Sequence, residues 1–152
     1  MSDDKVTLAG WLAAAGRVTV LLLFVTVSAL ITPTNVTDGL AHEADAIKAI
    51  QTMQIQYSSQ YGRFATTLTE LGPPATGAAD AASADLIDGA LAAGEKGGFQ
   101  FTMTGNQSGY VISAVPVAYG NTGVRTFYSD QTMAIRENDG PEPATASSKE
   151  MQ

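Results

Sequence analysis

Residues 18–31 read VTVLLLFVTVSALI, fourteen positions with nothing more polar than Thr19, Thr26 and Ser28. No other stretch constrains the fold as much, because a run apolar on every side has no polar helix face to show water. As a helix it would span only ~21 Å, short of a hydrocarbon core of ~30 Å. Extending it back to Val6 supplies the length but takes in Arg17, and a central Arg costs roughly 2.5–3.5 kcal/mol on insertion scales. Two arrangements avoid that cost. Arg17 snorkels to the interface while the helix starts at Val18, or Arg17 ends the n-region of a cleavable signal peptide with 18–31 as its h-region. A third reading is a buried core helix of a soluble protein. Lys5 and Arg17 precede the run and the next cation is Lys48. The positive-inside rule therefore places the N-terminus in the cytoplasm and residues 34–152 across the membrane. The expectation is an inner-membrane protein with a periplasmic or extracellular head. Its parts are 1–33 as leader and apolar helix, 34–136 as head, and 137–152 as a flexible tail.

The remaining composition excludes much chemistry. Fifteen acidic residues against eight Lys and Arg give a formal charge of −7 over 152 residues. Nucleic-acid binding needs clustered cations, so no nucleic-acid partner is expected. The chain has no cysteine and one histidine, His42, which removes disulfides, thiolate nucleophiles, Cys zinc sites and any site with two or more His ligands. Hydrophobic residues make up 45%, too many for a disordered chain.

Past the apolar run the pattern changes. Pro33 breaks or kinks a helix, and Asp38 is placed to cap the next one. From 40 to 61, Ile47, Ile50, Met53, Tyr57 and Tyr61 recur at spacings of three and four, which predicts an amphipathic helix stopped by Gly62. Gly72-Pro73-Pro74 forces an irregular connection. Ser83 is placed to cap a second helix over 84–93, ended by Gly94. After Gly97-Gly98 the period becomes two. Phe99, Phe101 and Met103 alternate with polar residues, which predicts a strand, and 110–117 a second, with Pro116 at an edge or strand end. Residues 125–129 and 132–136 form a hairpin around Asp130-Gln131. The predicted fold is α+β: an N-terminal hydrophobic helix, then an amphipathic helix packed on a small antiparallel sheet of about four strands. The predicted core sets Ile47, Ile50, Met53 and Tyr57 against Phe99, Phe101, Ile112 and Phe127.

No catalytic, cofactor-binding or metal-ligating residue rises above background. A Ser-His-Asp triad would have to use His42, which reads as a solvated residue near the start of a long helix. Gly94–Gly98 (GEKGG) matches neither a P-loop nor a GxGxxG turn and reads as a linker. Asp80, Asp85 and Asp88 surround the short helix, where Asp85 favours the N-terminus through the helix dipole, and a calcium site is the less favoured reading. Asp130, Glu137 and Asp139 read as a hairpin turn followed by a polar tail. Asn35-Val36-Thr37 and Asn106-Gln107-Ser108 are formal glycosylation sequons of a kind that polar loops produce by chance. No cofactor is expected.

One ordered series of segments resembles a known family. HEADAIKAIQTMQIQYSSQYGRFATTLTELGPP (42–74) is similar to the stretch of type IV pilins and type II secretion pseudopilins in which NEASA leads into a helix ending YxxxYG. A segment with apolar residues spaced as Phe64, Leu68 and Leu71 follows there. FQFTMTG, GYVISAVPV, RTFYSDQTMAIREN and GPEPATASSKE resemble the sheet and tail of one branch. The head departs from the pattern at its N-terminus. Gly10-Trp11 offers the small-then-aromatic pair of a processing site, and Pro33 falls close to the family proline. The fifth residue after that cut, however, is Ala15 where the family carries Glu.

The resemblance implies a non-enzymatic structural subunit of a type IV pilus or type II secretion pseudopilus, with other pilin or pseudopilin subunits and the inner membrane as partners. The alternative is an exported or anchored protein with such a head and no filament role, uncut or cut after Ala29 or Ala41. No acidic residue lies between Lys5 and Asp38, so a like neighbour offers Arg17 no nearby carboxylate. That disfavours homopolymerisation and points to a minor subunit, or to one that joins a filament whose other subunits carry the missing Glu.

Overall fold

The computed structural model describes residues 36–152, with side chains from His42 onward. They belong to one compact unit, residues 35–152. Its first element is α1 (Val36–Tyr61), 26 residues long. The three-and-four spacing puts Ile47, Ile50 and Tyr57 on one side, and all three are fully buried. The helix ends at Gly62, whose φ of +70° lets its N–H bond back to the Ser58 carbonyl at 2.9 Å. A residue with a Cβ resists that conformation.

Six antiparallel strands follow in simple meander order: β1 (Glu95–Lys96), β2 (Phe99–Asn106), β3 (Gly109–Pro116), β4 (Thr126–Asp130), β5 (Ile135–Asn138) and β6 (Lys149–Glu150). The register pairs Phe101 with Ala114 and Met103 with Ile112 across β2 and β3, and Ala114 with Phe127 across β3 and β4. Those residues face inward together with Phe99 and Tyr110, and α1 covers them. The core expected from alternation is the one observed, although Met53 is only half-buried. Pro116 sits at the last position of β3, where its missing N–H removes no interior ladder bond.

The expected sheet of about four strands is corrected to six. The added strands, β1 and β6, are two residues long, charged and exposed, so they carry no alternation of apolar residues to read. The flexible tail expected over 137–152 is corrected as well. Met151 N–H donates to the Ile135 carbonyl at 2.8 Å, Arg136 Nη1 to the Ser148 carbonyl at 3.1 Å, and buried Thr126 Oγ1 to the Glu142 carbonyl at 2.6 Å. These bonds fold the tail along β5 and bury Ala144.

The helix expected over 84–93 shrinks to one turn, α3 (Gly89–Ala92), and a second single turn, α2 (Leu68–Leu71), precedes it. The reason is a competing set of backbone bonds. The amides of Ala84, Asp85, Leu86 and Ile87 donate to the carbonyls of Glu70, Gly72, Leu71 and Leu71, at 2.8–3.0 Å. Asp85 takes a φ of +55° to allow it. Asp88, not Ser83, caps the remaining turn, its Oδ1 accepting from Leu91 N–H at 3.0 Å.

The membrane placement is also corrected. Among the described residues no helix is long and apolar enough to cross a membrane. Helix α1 carries His42, Glu43, Asp45 and Lys48 within two turns. The apolar run 18–31, on which the expected hydrophobic helix and inner-membrane location rested, lies outside the described residues, as do Arg17, Ala15 and the cleavage positions after Gly10 and Ala29.

Candidate functional site

The chemistry-bearing clusters weighed in the sequence are mostly committed to holding the fold. Asp80 Oδ1 accepts from the amides of Ala82 and Ser83 at 2.8 and 3.1 Å, closing a turn. Asp88 Oδ2 pairs with Lys96 Nζ at 2.5 Å, and that bond, with the cap to Leu91, draws its carboxyl below the ordinary range. Burial works to raise the Asp130 carboxyl, but hydrogen bonds from Thr132 and Tyr128 outweigh it and the net shift is downward. Glu137, almost wholly buried, accepts from Arg125 at 3.0 Å and Lys149 at 3.3 Å, while Arg125 also reaches Asp139 at 2.6 Å. Among the described residues no group of three or more His, Asp or Glu is arranged to hold a metal ion. Gly94–Gly98 turns between α3 and β2 and includes β1. Asn106, of the second sequon, closes the β2–β3 turn by accepting from Ser108 and Gly109 N–H.

A second committed cluster holds the loop after α1. Glu70 Oε2 accepts from Arg63 Nη1 and Thr66 N–H, each at 2.9 Å, and Oε1 from Thr66 Oγ1 at 3.0 Å. Tyr57 Oη donates to the Ala81 carbonyl at 2.5 Å, and the Arg63 guanidinium lies 5.2 Å from the Tyr57 ring centroid. Desolvation would raise the Glu70 carboxyl, yet the bonds from Arg63 and Thr66 prevail and lower it.

One acidic side chain stands apart. Glu43 is 2% exposed, and its Oε2 has no hydrogen-bond partner among the described residues. Desolvation pushes its carboxyl above the ordinary range, against smaller lowering effects of a backbone hydrogen bond and of His42. It lines a groove of about 590 Å³ between α1, the 86–91 segment and β2. The apolar walls come from Ala46, Met53, Leu86, Ile87, Leu91 and Phe101, and Asp45, Asp88 and Lys96 stand among its charged residues. The volume lies within the ~300–1,000 Å³ typical of ligand sites, and an apolar lining with few polar groups is their usual make-up. Lys96 is engaged by Asp88, so among the described residues the buried carboxylate faces an apolar groove without a cation of its own.

The sequence reading missed this residue, although its spacing carried the signal. Glu43 lies four positions before Ile47 and seven before Ile50, on the stripe that turns inward. A carboxylate on such a stripe is rarely buried unless paired. His42, one position earlier, is exposed.

Compared with protein-family models, curated proteins and solved structures, the chain finds no match.

Proposed function

We propose that this chain is a non-enzymatic structural subunit of a type IV pilus or type II secretion pseudopilus. The observation that carries the reading is the ordered series of segments from His42 to Lys149 that resembles that family. Two features of the head support it. The tyrosines of YSSQYG serve the fold, with Tyr57 buried and packed on Tyr61 in a tilted pair with ring centroids 4.6 Å apart. The acidic clusters at Glu70, Asp130 and Glu137 are spent on hydrogen bonds and ion pairs within the head. The test is to express the full chain alone and together with a conventional major pilin from the same source, and to look for it in fibres by electron microscopy and immunolabelling. Labelled fibres in either case are the expected result. Fibres that never contain the chain would overturn the reading.

A further inference from the structure

We propose that the Glu43 groove is the docking site for a second copy of this chain, entered by its apolar segment around Arg17. The inference rests on the filament reading above and names the contact between subunits. Two complementary deficits motivate it. Glu43 is a carboxylate 98% removed from solvent, since its exposure is 2%, and among the described residues its Oε2 is unpartnered. The groove beside it is lined mainly by aliphatic and aromatic side chains. An unpaired buried charge is strongly unfavourable, and a partner that supplies the opposite charge together with hydrogen bonds removes that penalty. The occupant must therefore be apolar over most of its length and carry one cation.

Residues 12–23, LAAAGRVTVLLL, meet that description. Arg17 is the only charged residue from Val6 to Thr37. Its planar fork of donors suits a carboxylate, and small residues precede it while aliphatic residues follow. The segment has the cation and the apolar surface; the groove has the carboxylate and the apolar walls. Charge and hydropathy thus match between one copy's segment and another copy's head. The sequence alone disfavoured homopolymerisation because no acid lies between Lys5 and Asp38. Glu43 lies just beyond that interval, and its burial is visible only in the folded head.

The test is exchange of charge between copies of the full chain. Two differently tagged forms are co-expressed, and the recovery of one with the other is measured. Glu43→Gln, nearly isosteric, and Arg17→Glu, which changes no residue of the head, should each lower recovery at least about tenfold, the scale expected when one member of a desolvated pair is removed. Glu43→Arg should fail with copies of its own kind. Mixed with the Arg17→Glu form it should recover association, because each copy then offers the charge that the other lacks. The urea midpoint of each variant reports separately whether the head is folded. If wild-type copies associate but Glu43→Gln and Arg17→Glu leave recovery unchanged, this inference falls and the filament reading stands. If wild-type copies do not associate, this inference falls, and the filament reading falls with it only if the chain also never enters fibres.

Discussion

Gln54 holds Ala65 by both of its backbone polar groups, the N–H and the C=O. The amide Nε2 donates to the Ala65 carbonyl at 2.9 Å, and Oε1 accepts from the Ala65 N–H at 2.9 Å. Both residues are fully buried. The same Nε2 also lies 3.0 Å from Met103 Sδ on β2, so one side chain ties the helix to the loop that follows it and to the sheet. About one turn earlier in α1 a similar tie is made, where Gln51 Nε2 donates to Ser129 Oγ on β4 at 2.6 Å.

Gln54→Leu keeps the bulk and removes both bonds, leaving a buried N–H and a buried C=O unsatisfied. Each such group costs about 1–3 kcal/mol, so urea denaturation should show a loss of about 2–5 kcal/mol. A loss below about 0.5 kcal/mol, the range of ordinary surface changes, would mean that the loop relaxes freely and the clamp is not structural.

Ile50→Ala tests the apolar side of the same helix. Ile50 has no exposed surface and belongs to the cluster that includes Phe99, Ile112 and Phe127. Loss of the transfer term plus the residual cavity should cost about 2–5 kcal/mol by chemical denaturation. An unchanged midpoint would place the wrong helix face inward.

Glu43 and Glu70 should shape the pH dependence in opposite senses. The Glu70 carboxyl is lowered below its reference of 4.5. Its stabilisation is therefore present above 4.5 and lost as pH falls through the folded value. Glu70→Gln should lose stability at neutral pH, by about 1–3 kcal/mol, and approach wild type in acid. The Glu43 carboxyl is raised above 4.5. Its ionisation destabilises the isolated head once pH exceeds the folded value, and the penalty vanishes below 4.5. The charged or titratable neighbours that line the groove with it are His42, Asp45, Asp88 and Lys96. Glu43→Gln should gain stability at neutral pH, of order 1 kcal/mol, and none in acid. Urea midpoints across a pH series measure both, and a loss at neutral pH in the Glu43 variant would show that the carboxylate is already satisfied.

The head illustrates which features a linear reading reaches. Periodicity reports residues whose side chains alternate between core and water, and it located α1, β2, β3 and β4 and the side chains that meet between them. Elements held by backbone bonds to distant partners leave no such trace. Leu86 and Ile87 look helical in sequence because their spacing is helical, yet their amides are taken by the Leu71 carbonyl. The charged pairs Glu95-Lys96 and Lys149-Glu150 look like loop because nothing in them is apolar, yet β2 and β5 supply their ladder partners.

By itself the sequence determined the inward stripe of α1, the β2–β3 hairpin around Asn106 and the stop at Gly62. Each of these follows from local conformational preference or from a side-chain period of two or 3.6. The tertiary structure decided that the sheet has six strands, that α3 is a single turn, that the last sixteen residues fold back along β5, and that Glu43 is an unpaired acid in an apolar groove. Those outcomes depend on which groups compete for the same hydrogen bond and on what covers a carboxylate after folding. Both are properties of contacts between residues far apart in the chain, where local preference has no hold.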